Sequence, residues 1–234
     1  MINNRKVIGI IGGMGPMATA DLFKKIVELT DAETDREHLH ILIDNNTDIP
    51  DRTNAILSGS TKPLELMAES AERLTAQGAD FIIIPCNTSH YFIDALQTRC
   101  SVPIISMPLE TARFAKVEGF SRLGLLATDG TVKSGVYEKA FEGTGIELIV
   151  PDEEGQRKVM NMTYNEVKAG KTANTSALDT TLDSMQAQGA EAFILGCTEL
   201  PIAFRNCTDR KFIDPTAILA RAAIKAAGGK TKEL

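Results

Sequence analysis

Gln77-Gly78-Ala79-Asp80-Phe81-Ile82-Ile83-Ile84-Pro85-Cys86-Asn87-Thr88 and Gln188-Gly189-Ala190-Glu191-Ala192-Phe193-Ile194-Leu195-Gly196-Cys197-Thr198-Glu199 are two copies of one phrase, each stepping nine residues from Gln to Cys. Each reads as a helix end, a glycine cap, a buried parallel strand and a thiol at the strand's C-terminal tip. In open α/β sheets that tip is where ligands bind. Two matching halves therefore present two thiols to one cleft from opposite sides. Such a pair can take a proton from one face of a carbon and return one to the other.

The duplication extends outward. Val7-Ile8-Gly9-Ile10-Ile11-Gly12 resembles Arg122-Leu123-Gly124-Leu125-Leu126-Ala127, and Ile104-Ile105-Ser106-Met107-Pro108 resembles Lys211-Phe212-Ile213-Asp214-Pro215. Both pairs keep their order around the cysteine strand. Strands are predicted near 7–11, 39–43, 81–84, 103–106, 123–127, 148–150, 193–195 and 212–213. Helical spacing marks 18–29, 63–76, 159–168 and 177–188. Strand–helix alternation predicts an α/β fold with parallel sheets and helices on both faces. The expected organisation is two similar α/β lobes related by pseudo-twofold symmetry, residues 1–107 and 108–215, with the site in the cleft between them. Whether the closing helix within 216–234 packs back on the first lobe is left open at this level.

Bulk properties narrow the function. The chain has 234 residues, 43% of them hydrophobic and 24% charged, as an ordinary globular protein has. A net charge of −6 without a run of Lys or Arg argues against nucleic acid as a partner. No stretch approaches a membrane-spanning length and no signal-peptide core is present, so a cytoplasmic protein without a membrane partner is expected. The four cysteines then read as free thiols rather than a disulfide framework.

Cys86 and Cys197 are the leading chemical candidates. A free thiol has a pKa of about 8.5, and a helix N-terminus beyond the strand lowers it. Cys100 and Cys207 lack the apolar run and the Thr/Asn flanks, and read as structural. Gly12-Gly13-Met14-Gly15-Pro16 is either a tight strand-to-helix turn or a backbone cradle for an anion. It lacks the dinucleotide fingerprint, and Gly170-Lys171-Thr172 is no P-loop, because Asn165 stands where its first glycine belongs. Cys86 and His90 have the spacing of two zinc ligands on a helix, but no further ligands stand nearby and no metal is expected. His90 reads instead as a residue on the helix surface or behind the site; His38 and His40 read as exposed. Arg52, in a loop after the second strand, has the fork geometry to clamp a carboxylate, and Lys168 ends a helical run that can reach the same cleft. An ordinary solvated charge is the other reading of each.

Four motifs together resemble one family: Gly9-Ile10-Ile11-Gly12-Gly13-Met14-Gly15-Pro16, Ile49-Pro50-Asp51-Arg52-Thr53, Pro85-Cys86-Asn87-Thr88-Ser89-His90 and Gly196-Cys197-Thr198-Glu199-Leu200. The chain is similar over its whole length to the cofactor-independent aspartate/glutamate racemases, most of all to the aspartate racemases. The resemblance implies two lobes, no pyridoxal phosphate or other cofactor, a homodimer, and a dicarboxylic amino acid as substrate. It implies that Cys86 and Cys197 are the acid/base pair. Arg52 and Lys168 match positions that hold the side-chain carboxylate, while Asn87, Thr88 and Thr198 match positions around the α-amino and α-carboxylate groups. Met14, Thr128 and Glu199 are carried over as further substrate contacts.

The expected reaction is two-base racemisation of aspartate, with reacting atoms at roughly 3–3.5 Å and the sulfurs therefore about 7 Å apart across Cα. Glutamate or broader amino-acid racemisation, maleate-isomerase-like chemistry through one nucleophilic cysteine, and ligand binding by a two-lobed protein without catalysis are the alternatives.

Overall fold

The computed structural model describes residues 5–207 and 209–232. The first half runs β1 (Ile8–Gly12), α1 (Pro16–Leu29), β2 (Ile41–Asn45), α2 (Arg52–Ser58), α3 (Lys62–Ala76), β3 (Phe81–Ile83), α4 (Ile93–Arg99), β4 (Ile104–Ile105) and α5 (Met107–Val117). The second runs β5 (Arg122–Ala127), α6 (Asp129–Ser134), α7 (Val136–Phe141), β6 (Glu147–Ile149), α8 (Glu153–Asn161), α9 (Asp179–Ala187), β7 (Ala192–Gly196), α10 (Leu200–Ala203), β8 (Phe212–Ile213) and α11 (Pro215–Ala226). Every strand expected from the sequence is present, within about two residues at its ends. Among the described residues no helix is long and apolar enough to cross a membrane.

The strands form two parallel four-stranded sheets with equivalent orders, β2-β1-β3-β4 and β6-β5-β7-β8. The repeated phrase explains how each cysteine strand begins. Gly78 at φ 99° and Gly189 at φ 100° end their helices in a conformation that a Cβ disfavours. Two residues on, an acid locks the neighbouring strand. Asp80 accepts a hydrogen bond from the Val7 amide at 2.7 Å, and Glu191 accepts from the Ser121 and Arg122 amides at 2.8 Å each.

Side chains alternate along the central strands into cores on both faces of each sheet. In the first sheet Phe81 and Ile83 face α1, while Ile82 and Ile84 face α3 and α4. In the second, Phe193 and Leu195 face α8 and α9, while Ala192 and Ile194 face α5 and α7. The closing helices are exchanged. Ala112 and Ala115 of α5, which follows the first sheet, pack beneath the second sheet. Leu219, Ala220, Ala223 and Ile224 of α11, which follows the second sheet, pack beneath the first with Leu22 and Ile26. Helices α5 and α11 also pack on each other.

Three local readings differ from the sequence expectations. Arg52 does not sit in a loop: it opens α2, capped by Asp51, whose carboxylate accepts from the Asn54 amide at 2.8 Å. The helix expected over 159–168 changes at Met162 into a π-helical turn, Met162–Val167. Cys86 is followed by a 3₁₀ turn, Thr88–Phe92, rather than directly by an α-helix. Short capped turns of this kind are too brief to leave a periodic signature.

The lobes come into close contact where α6 meets α2. A Cβ built on Gly130 would stand 2.8 Å from both Cα and Oγ1 of Thr53 and 3.0 Å from Thr88 Cγ2. Gly130→Ala is therefore expected to wedge the lobes apart and cost about 1–3 kcal/mol of unfolding free energy, read by urea denaturation.

Candidate active site

Each chain half leaves its first strand in one direction and returns on the other side. The switch points fall between β1 and β3 and between β5 and β7, and crevices open there beyond the strand ends. Met14 follows β1 and Cys86 follows β3; Thr128 follows β5 and Cys197 follows β7. The two crevices face each other. All ten residues singled out in the sequence (Met14, Arg52, Cys86, Asn87, Thr88, Thr128, Lys168, Cys197, Thr198 and Glu199) line a single cavity between them. Asp51, Thr53 and Tyr164 complete its lining. The cavity holds about 10 Å³, the room of roughly one water molecule.

Cys86 and Cys197 are both buried free thiols, while Cys100 and Cys207 are half-buried and outside the cavity. Their surroundings differ in sign. On the Cys86 side lies Arg52, itself 7% exposed. Its Nη2 donates to the Met14 carbonyl at 2.7 Å and its Nη1 to the Pro50 and Ile49 carbonyls at 3.1 and 3.3 Å. Its Nε has no partner among the described residues. Burial works against the guanidinium's charge, but the neighbouring Cys86 sulfur and the Asp51 carboxylate outweigh it and leave Arg52 above its ordinary value. Met14 thus enters the site through a carbonyl that aims Arg52. The glycine turn before it is packing architecture: Gly13 sits at φ 90° against Asn46, and its amide donates to Thr19 Oγ1 at 3.0 Å.

On the Cys197 side lies a carboxylate. The Cys197 thiol donates to Glu199 Oε2 at 2.9 Å, and the Thr198 hydroxyl reaches the same oxygen at 3.3 Å. Burial, and then the Glu199 charge, push the Cys197 thiol well above the usual range. Lys168 Nζ, 3.6 Å from Glu199 Oε1 and 4.9 Å above the Tyr164 ring, partly offsets that negative charge. Burial lowers the Lys168 ammonium, but Glu199 and the two cysteines more than reverse this. The structure therefore places Glu199 against a thiol and an ammonium.

A hydroxyl cluster joins the lobes between these poles. Thr88 of the first lobe shares hydrogen bonds with Thr128 at 3.0 Å and Thr131 at 2.9 Å of the second, and Thr53 lies 3.4 Å from Thr128. Tyr164, from the π-helical turn, donates to Asp51 at 2.9 Å and lies 3.2 Å from Thr53. Sequence reasoning passed over Asp51, Thr53, Thr131 and Tyr164. The one available signal was the spacing of Tyr164 and Lys168, four residues apart on one face.

His90 is not on a helix surface: it is buried behind Cys86. Its Nδ1 bonds the Cys86 carbonyl at 2.8 Å, which makes it the protonated nitrogen, and its Nε2 accepts the Met107 amide at 3.1 Å. Both ring nitrogens are thus committed to backbone. Among the described residues no group of three or more His, Cys, Asp or Glu side chains is placed to hold a metal ion. Of the remaining histidines, His40 is exposed and His38 half-buried.

Comparison with known proteins follows the same lines. Residues 11–223 match the family model described as Asp/Glu/Hydantoin racemase. The broad specificity amino-acid racemase RacX of Bacillus subtilis is 28% identical over 93% of this chain and 96% of its own. Among solved structures, the Picrophilus torridus aspartate racemase superposes with a TM-score of 0.83 at 31% identity, covering 97% of this chain and 96% of that one. A putative Asp/Glu racemase from Yersinia pestis gives 0.82 at 28% identity, covering 95% of this chain and 99% of that one.

Burial holds the His90 imidazole down at about 4, below its ordinary 6.5. A depressed histidine contributes its stability fully above pH 6.5, and that contribution is lost as pH falls toward 4. Urea unfolding is expected to lose about 2 kcal/mol from this group between pH 7 and pH 5, a component that His90→Gln removes.

Proposed function

We propose that this chain, which belongs to the Asp/Glu/hydantoin racemase family, interconverts L- and D-aspartate with Cys86 and Cys197 as exchanging base and acid. That the chain is an amino-acid racemase follows from the family and from the relatives it resembles. The finer reading rests on one observation: two buried thiols from opposite lobes line a single cavity, one beside a guanidinium and the other donating its proton to a carboxylate.

That asymmetry supports an order for the first half-reaction. Two anionic sulfurs around one carbon repel, so one thiolate and one thiol must be present together. Cys197 enters as the thiol, because its S–H is hydrogen-bonded to the Glu199 carboxylate, and burial and that negative charge both disfavour the thiolate. Cys86, beside the Arg52 charge, enters as the thiolate. Its sulfur takes the α-proton, forming S–H, and the C–H electron pair passes into a carbanion spread over the α-carboxylate. Cys197 then gives its proton to the opposite face and is left as the thiolate. Lys168 supplies the compensating charge while Glu199 and the Cys197 thiolate are both anionic. The substrate of opposite hand meets the cysteines with roles reversed.

Carbanion formation without an electron sink is the hard step. Donors aimed at the α-carboxylate, from Asn87, Thr88 and Thr198, hold the charge as it develops there. Arg52 and Lys168 are the cationic groups that receive the distal carboxylate. The similarity to an aspartate racemase supports the shorter substrate. The similarity to a broad-specificity racemase supports a second reading, a wider set of amino acids, since one methylene discriminates by only about 1–3 kcal/mol.

Incubation of the reduced protein with L-aspartate in D2O, without added cofactor, is expected to give α-deuteration and D-aspartate together, followed by NMR and chiral chromatography. No exchange with either aspartate enantiomer would overturn this substrate. Cys86→Ala and Cys197→Ala are each expected to slow racemisation by a factor of about 10² or more. A single-cysteine variant near the wild-type rate would overturn the two-base mechanism. Glu199→Gln removes a negative charge beside Cys197, so its thiol pKa falls. The alkaline limb of the kcat/KM profile is expected to move to lower pH in the direction where Cys197 is the acid.

A further inference from the structure

Tyr137 lies on α7 of the second lobe, outside the cavity, and is fully buried. Its hydroxyl donates to Oδ1 of Asn87, a residue of the first lobe, at 2.7 Å. Asn87 is 2% exposed and lines the cavity next to Cys86 and Thr88. Its other amide atom, Nδ2, has no partner among the described residues. A buried donor left unpaired costs about 1–3 kcal/mol, so a stable protein carries one where something else completes it.

We propose that Tyr137 is a positioning residue which sets the amide of Asn87 so that Nδ2, and not Oδ1, meets the substrate's α-carboxylate. The proposal rests on the racemase reading above. An asparagine amide presents two donors at one end and an acceptor at the other, and a rotation of 180° exchanges them. Only the donor end suits a carboxylate on which negative charge grows; the acceptor end repels it. The phenol proton settles which end is turned inward. The neighbouring Thr111 hydroxyl already donates to the Met107 carbonyl at 2.8 Å and needs no help from the phenol. Burial pushes the Tyr137 hydroxyl well above its ordinary value, so it stays protonated and a donor throughout the working pH range. Asn87 Oδ1 is thereby held outward toward α7, and Nδ2 is left for the cavity. The bond also spans the lobes, so the donor is set only when the second lobe is seated against the first.

The test is a double-mutant cycle on the full-length protein, with kcat and KM measured for L-aspartate and folding followed by thermal melting. Tyr137→Phe removes one oxygen and keeps the ring that fills the core. It is expected to lower kcat/KM about tenfold, mostly in kcat, because the contact strengthens as charge develops. Asn87→Ala is expected to lower it at least as much. Tyr137→Phe added to Asn87→Ala is expected to cost nothing further, since the tyrosine acts through the amide. A Tyr137→Phe variant within twofold of wild type in kcat/KM would overturn the proposal, whether or not its melting temperature falls. So would a double variant that loses the product of the two single effects. A wild-type protein that exchanges no α-proton on aspartate or glutamate would overturn the racemase reading and this proposal with it. An active wild type with an insensitive Tyr137→Phe overturns this proposal alone.

Discussion

The exchange of closing helices is the constraint on which the rest depends. A cleft between two lobes can present groups to both faces of one carbon only if the lobes come together in a defined relation. Here α5 carries the chain from the first sheet into the floor of the second, and α11 returns from the second to the floor of the first. Each lobe is thus finished by a helix that belongs, in sequence, to the other. The threonine cluster and the Tyr137–Asn87 bond then meet across a seam whose position the apolar floors have already set. Packing supplies the bulk of the free energy there, and the buried hydrogen bonds supply registration.

Duplication built a symmetric scaffold, and substitution made the site polar. Equivalent strands deliver Cys86 and Cys197, but the neighbours differ: a guanidinium held by three carbonyls on one side, a carboxylate and an ammonium on the other. Charges of opposite sign therefore face the two equivalent sulfurs.

Much of the scaffold was legible in the sequence because the repeat marks boundaries by chemistry. Gly78 and Gly189 must be glycine at their positive φ, and the acids that follow them must face a strand amide. The cysteines were legible because a strand tip is a place, not merely a residue type. The partners of the cysteines were less so. Glu199 stands two residues after Cys197 in the chain, but its pairing with Lys168, thirty-one residues earlier, leaves no local signature. Tyr137 and Tyr164 reach the first lobe across the seam, and no spacing within either half encodes that meeting. Nor does helical periodicity reveal that Tyr164 lies in a π-helical turn.

The exchanged helices also bear on how the chain comes into being. During synthesis the first sheet is finished at Ile105, but the residues that seal its lower face lie more than a hundred positions later, in α11. Until Leu219, Ala223 and Ile224 have left the ribosome, Ile8, Ile10, Phe81 and Ile83 have no complete cover. The nascent first half therefore keeps apolar surface uncovered until α11 is made, whereas the floor of the second half, α5, precedes the strands it covers.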